Sequence, residues 1–168
     1  MIFKTLDEYK AALVTSPYLE GRWSYYSKVI NMVKEIKPKT ILEIGSNGFP
    51  LFHDSIKLEV DKMADAHVYW DITQTPWPFI DKEFDVVIAL QVWEHLGNKQ
   101  REAFIEARRV GKNVILSFPY KWKSGDADHL NITKDIIKYW TLDEDYILQR
   151  IVKTPKTHKN RIIYWYEF

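Results

Sequence analysis

Gly45-Ser-Asn-Gly48 is the segment best suited to chemistry, because it follows directly on Thr40-Ile-Leu-Glu-Ile44, a short apolar run that reads as a strand. A strand that breaks into a glycine turn lets backbone N–H groups approach a ligand and donate to its polar parts. Ordinary tight turns also place glycines after strands, so this segment alone leaves both readings open. Glu43 sits inside the strand, two residues before Gly45, where an apolar residue is the norm. Its carboxylate can buttress the turn or accept hydrogen bonds from a cationic ligand. The next strand-like run leads into Asp61, a position suited to gripping a ribose diol. The run after it leads into Asp71-Ile72, where an acid beside a backbone amide can bind both hydrogen-bonding edges of an adenine. Each acid has a plainer use as a helix cap or surface charge. Together, at successive strand ends, they point to a nucleoside-bearing ligand.

Such groups need a rigid scaffold, and the apolar pattern supplies one. Strands are expected at Thr40–Ile44, Lys57–Val60, His67–Trp70, Phe84–Leu90 and Asn113–Phe118. Phe84-Asp-Val-Val-Ile-Ala-Leu90 has the near-continuous apolar reading of a strand buried on both faces. Helical spacing marks Leu6–Val14, Trp23–Ile36 and Asn98–Val110, with Asn98 as N-cap and Gly111 as stop; Thr133 caps a short helix to Trp140. Strand, helix and strand in that order imply a right-handed parallel crossover. Tyr146–Val152 and Arg161–Phe168 flank Lys153–Asn160, which reads as a hairpin connection. The fold class is therefore α/β, a Rossmann-like, mostly parallel sheet of seven strands with an antiparallel C-terminal hairpin.

With 168 residues, 46% of them hydrophobic, the chain suits a single domain with a substantial core. It divides into an N-terminal helical cap (1–37), a core (38–120) and a loop, helix and hairpin (121–168). No run approaches the roughly 20 apolar residues that span a bilayer, and no signal-like stretch opens the chain, so a cytoplasmic protein with no membrane partner is expected. The absence of cysteine excludes disulfides, zinc ribbons and thiol catalysis. Lys and Arg number 24 against 23 Asp and Glu, so no net field recruits a nucleic acid.

Ile41-Leu-Glu-Ile-Gly-Ser-Asn-Gly48, Val60-Asp61, Asp71-Ile72 and Phe84-Asp-Val-Val-Ile-Ala-Leu-Gln-Val-Trp-Glu94-His95-Leu96 resemble the class I S-adenosylmethionine-dependent methyltransferases over roughly 40–120. Glu-His-Leu after the fourth strand is the most specific piece. The resemblance implies S-adenosylmethionine as cofactor, with Glu43 and Gly45 opening its loop and Gly48 letting the backbone approach the methionine portion. It places Asp61 on the ribose, Lys62 or Met63 beside adenine, Asp71 and the Ile72 amide on adenine, and Gln91 beneath the methionine end. Asn47 and Phe49 stand where the family often has glycines, and Asn47 tolerates the left-handed conformation needed there. The short spans 48–57 and 61–67 shorten the first-half helices, so the Trp23 helix or a second copy of the chain must shield that half of the sheet.

The same resemblance puts His95 and His129 at the substrate mouth, as catalytic candidates if the nucleophile must lose a proton. A structural hydrogen bond is the plainer role for His95, and a solvated loop position for His129. Tyr120 and Trp122 would wall the acceptor, or fill space left by short helices. Asp126, Asp128 and His129 come from one loop, a poor match to a magnesium centre, and no metal site is expected. The acceptor is a small molecule, sugar-like on the aromatic and polar mouth alone. Two rivals stand beside this reading. A dinucleotide oxidoreductase needs Gly-x-Gly-x-x-Gly, which Gly45-Ser-Asn-Gly48 lacks, and a cofactor-binding module without activity would tolerate the missing glycines.

Overall fold

In a computed structural model describing residues 2–153 and 159–168, the alternation of apolar side chains along the central strands fixes the layering. The strands are β1 (Ile41–Ile44), β2 (Ile56–Glu59), β3 (Val68–Tyr69), β4 (Phe84–Leu90), β5 (Gly111–Pro119), β6 (Leu148–Val152) and β7 (Arg161–Glu167). They form one sheet in the order β3-β2-β1-β4-β5-β7-β6. The first five run parallel, and β7 lies antiparallel to both β5 and β6. Helices α1 (Leu6–Leu13), α2 (Trp23–Ile36), α3 (Gln100–Val110) and α4 (Lys134–Trp140) complete the layers.

On β4, Val87 and Ala89 join Ala103, Phe104 and Ala107 of α3, while Val86 and Ile88 join Val29, Ile30 and Val33 of α2 on the other face. Each such side chain contributes roughly 1.5–3 kcal/mol when withdrawn from water. The terminal Tyr164 and Tyr166 point into the α3 face, whereas Trp165 turns the opposite way and donates to Asn113 Oδ1 at 2.8 Å. Alternating strand packing accounts for all three aromatics.

Boundaries shift where turn chemistry overrides periodicity. The N-cap of α3 is Lys99, without a side-chain bond, rather than Asn98. Gly111 does stop α3, but in extended backbone that opens β5 at once. A Cβ there would lie 2.6 Å from Val87 Cγ2, so only glycine allows the helix to enter the sheet without a loop. The expected hairpin connection falls on residues 154–158, which lie outside the described residues.

The first half of the sheet departs furthest from expectation. Its helices are not merely shortened: among the described residues no α-helix lies between β1 and β4. The N-terminus substitutes. Phe3 bridges to Phe52, Lys4 N donates to Leu51 O at 2.8 Å, and His53 N donates to Ile2 O at 2.9 Å. Helix α1, closed by a Thr5–Glu8 capping box, packs Tyr9 against Tyr26 and Phe49. Beside it a groove of about 570 Å³ is lined by Lys4, Glu8, His53, Lys57, Asp65 and His67 among others. Charged side chains there mix with Ala11, Ala12, Phe49 and Pro50, and the N-terminal segment supplies cover that the missing helices leave out.

Candidate active site

β1 delivers the glycine turn to the carboxyl edge of the sheet, at the point where the strand order reverses. Gly45, Asn47 and Gly48 all take positive φ, at 67°, 48° and 78°. Successive residues of this kind turn backbone N–H groups toward one side, which suits an electron-rich ligand. Gly45 is required twice over: besides its φ, a Cβ there would lie 2.6 Å from Val92 Cγ2. We expect Gly45→Ala to lose about 2 kcal/mol of stability and to weaken ligand binding, checked by thermal melts and calorimetry. Unchanged values for both would show that the turn can shift freely.

Glu43 serves this turn from beneath. It is only 4% exposed, and it accepts from Leu51 N at 2.7 Å, Phe52 N at 2.8 Å and Ser55 Oγ at 2.7 Å. Burial raises its carboxyl to about 7 despite those donors. Its bonds fill the buttressing role, and it also lines the small cavity beside the turn.

At the neighbouring tip the acid nearest the turn is Glu59, not Asp61. β2 ends at Glu59, whose Oε1 accepts from Ser46 Oγ at 2.7 Å and Asn47 N at 3.2 Å. Asp61, two residues farther, is exposed and accepts from Met63 N at 2.8 Å to close its own turn. Lys62 and Met63 are exposed as well. Sequence reading passed over Glu59, although a second carboxylate in a short strand, like Glu43 in β1, was a signal. At the third tip Asp71 Oδ1 accepts from Thr73 N and Oγ1, at 2.9 and 2.7 Å. Ile72 is buried, with its carbonyl accepting from Trp77 Nε1 at 3.0 Å.

β4 leaves the sheet through Gln91, at φ 60°, whose N donates to Ser117 O at 3.0 Å and whose Nε2 donates to Ser117 Oγ at 3.1 Å. That turn drives Val92 over Gly45 and sends Trp93–His95 into a 3-10 turn. Glu94 is thereby buried, with no hydrogen-bond partner for either carboxylate oxygen among the described residues. Burial raises its carboxyl to about 8. His129, from the 3-10 turn Ala127–His129 after β5, brings Nε2 to 3.9 Å from Glu94 Oε1. Its own pKa is lowered by burial and by His95. His95 and His129 meet edge to face, 4.9 Å between ring centres, and His129 stacks on Trp122 at 5.4 Å. The sequence-predicted His95, His129 and Trp122 therefore converge. Tyr120 is half-buried and packs against the core on the α3 side, beneath this mouth. Glu94 was quoted in the sequence motif without a role; its burial became visible only in three dimensions.

The N-terminal cap closes the crevice from above. Tyr18, Arg22 and Tyr26 line, with Gly45, Ser46 and Leu90, a cavity of only about 20 Å³. Arg22 donates to Tyr25 Oη at 2.7 Å and lies over the Tyr18 ring at 3.7 Å.

This sheet order, with its reversed last strand, is consistent with a Rossmann-like methyltransferase fold. The overall fold is similar to N-methyltransferase NodS from Bradyrhizobium japonicum in complex with S-adenosyl-L-homocysteine (11% identity, 88% of this chain and 87% of that one, TM-score 0.68). It is also similar to the methyltransferase domain of bacterial CtHen1 (13%, 89% and 100%, 0.62). A third likeness is to a methyltransferase from Aquifex aeolicus (14%, 83% and 87%, 0.58). At such identities these likenesses speak to the fold. No curated protein matches in sequence. Residues 55–114 match the methyltransferase-domain family, which together with the fold supports S-adenosylmethionine-dependent methyl transfer. No helix among the described residues is long and apolar enough to cross a membrane.

Proposed function

We propose that the protein methylates a small, sugar-like acceptor by direct displacement, in the cytoplasm and without a nucleic-acid or membrane partner. One observation carries the reading: the ligand-facing groups of Glu59, Asp71 and Ile72 and the Glu94–His95–His129 cluster share one edge of the sheet, on either side of Gly45. The donor set suits S-adenosylmethionine. Glu59 grips the ribose diol in place of Asp61, while Asp71 and the Ile72 amide read adenine with Lys62 or Met63 alongside. The N–H groups of Asn47 and Gly48 face the methionine portion, Gln91 lies beneath it, and Arg22 pairs with its carboxylate. The cavity beside Gly45 is small, about 20 Å³, and we expect the Tyr18–Arg22 segment to move outward when that portion binds.

When bound, the cofactor supplies an already activated sulfonium methyl group. What remains for the protein is alignment, which can be worth roughly 7–11 kcal/mol. Val92 and the Gln91 turn fix the approach from the β4 side. Trp122 and Tyr120 hold the flat or ring-like body of the acceptor, and the histidine cluster prepares its nucleophile. The net charge of +1 favours a compact acceptor over a polyanion.

Calorimetry tests this directly. We expect S-adenosylmethionine and its demethylated product to bind with one-to-one stoichiometry and NAD not to bind. No binding of either sulfur compound would sink the reading. The missing loop glycines and, among the described residues, the absent helices between β1 and β4 favour, as a second reading, a binding module without turnover. Affinity for the cofactor with no methyl transfer across sugars, phenols and amines would support it.

A further inference from the structure

We propose that Glu94, His95 and His129 bind one first-row divalent cation, such as Mn²⁺, Co²⁺ or Zn²⁺, on the acceptor side of the crevice. Ligand atoms from the three residues all lie within 4.8 Å of one another. They come from two separate segments, the exit of β4 and the loop after β5, so the sheet itself holds them together. The side chain of Glu94 is 0% exposed and both its oxygens lack hydrogen-bond partners among the described residues. A carboxylate buried in that way costs several kcal/mol unless something pairs with it.

Arg161 and Arg22 favour its charged form from a distance, but among the described residues no arginine forms a salt bridge with it. Arg161 is the nearest candidate, yet its guanidinium lies over the Trp122 ring at 4.5 Å, and its buried Nε has no hydrogen-bond partner among the described residues. Arg22 is engaged with Tyr25 and Tyr18. Lys159 lies over Trp122 at 4.9 Å. The space between Glu94 and the two imidazoles is thus flanked by positive groups that a bound cation must tolerate, with Asp126 and Asp128 offsetting them.

Those two aspartates are the second mark of a built site. Asp128 Oδ2 lies 3.3 Å from His95 Nδ1, and Asp126 Oδ2 lies 3.7 Å from His129 Nδ1. The hydrogen bond to Asp128 orients the His95 ring and leaves its other nitrogen to coordinate, while Asp126 stands close enough to His129 to assist it once a cation is bound. His129 already turns that nitrogen, Nε2, toward Glu94 at 3.9 Å. A tetrahedral ion about 2.0–2.2 Å from each ligand holds them about 3.4 Å apart, so the pair would close by about half an ångström. Two nitrogens and one oxygen suit first-row divalent ions, whereas Mg²⁺ and Ca²⁺ prefer oxygen throughout.

Three protein ligands leave open positions, and the function these serve rests on the methyl-transfer reading above. A hydroxyl oxygen of the acceptor occupies one and loses its proton to water more readily. That oxygen then bonds to the methyl carbon as the carbon–sulfur bond breaks and its electron pair stays on sulfur. A sugar-like acceptor with neighbouring hydroxyls fills two positions at once. The cluster thus prepares the nucleophile as a cation holder and not as a histidine base.

The test adds Co²⁺ alone to the full chain, with no cofactor, and reads visible absorption and calorimetric stoichiometry. One equivalent should bind, and Glu94→Gln, His95→Gln and His129→Gln should each weaken it at least tenfold, with melting profiles checked for each. Asp126→Asn and Asp128→Asn should weaken it about tenfold or less. Affinity for S-adenosylmethionine should stay within twofold in all five. No Co²⁺ binding up to millimolar concentration, or equal binding by the ligand variants, overturns the proposal while leaving the methyl-transfer reading intact. Co²⁺ binding without any cofactor affinity would instead sink that reading and keep the site.

Discussion

Replacing Glu59 with alanine is expected to weaken S-adenosylmethionine binding about 100-fold. The carboxylate commits Oε1 to Ser46 and Asn47. Its other oxygen takes no hydrogen bond among the described residues, which leaves it open to the ribose hydroxyl proposed above. Hydrogen bonds to a charged group contribute roughly 1.5–3 kcal/mol each, so losing the ribose contact and the grip on the turn together exceeds a tenfold effect. Glu59→Gln should fall between wild type and alanine, because an amide can still accept from Asn47. Asp61→Ala supplies the contrast: its bond is to Met63 within its own turn, and binding should change by less than threefold. Calorimetry on the three variants, with melting curves to confirm folding, checks this. A large loss in Asp61→Ala with none in Glu59→Ala would return the ribose to Asp61.

The second large effect concerns stability. Glu43→Ala leaves two backbone N–H groups and the Ser55 hydroxyl without their acceptor in a buried setting. Each stranded donor costs roughly 1–3 kcal/mol, less whatever water can enter, and we expect a net loss of about 3 kcal/mol. For a chain of this size that lowers the melting temperature by roughly 10 °C. The sign of the pH dependence follows from the raised carboxyl. Burial lifts Glu43 from an ordinary 4.5 to about 7, so between those values the folded chain holds a proton that the unfolded chain has released. Its contribution to stability is whole below about 4.5 and is lost as pH rises through about 7. Glu43→Gln carries no such proton and should flatten stability across that window. Chemical denaturation at pH 5, 6 and 7 measures the slope; an unchanged slope in the variant would show that Glu43 is ionised throughout.

The sequence settled the sheet. Near-continuous apolar runs at Ile41–Ile44 and Phe84–Leu90 demand burial on both faces, and Gly111, Pro119 and the terminal aromatic alternation fixed where crossovers end and the reversed strand begins. The turn at Gly45 was legible for the same local reason: few residues besides Gly and Asn tolerate positive φ. Which acid faces that turn was not legible, because a shift of two residues along β2 keeps Glu59 and Asp61 on the same side of a strand, and only the strand's end decides between them. The N-terminal cover was equally hidden. Phe3 meets Phe52 across 49 residues of chain, through backbone bonds that any side chains could make. The acceptor side was the least visible. Glu94 reads as a polar residue in a turn until Gln91 bends the chain and buries it against His129, 35 residues away, so its lack of hydrogen-bond partners among the described residues is a property of tertiary packing.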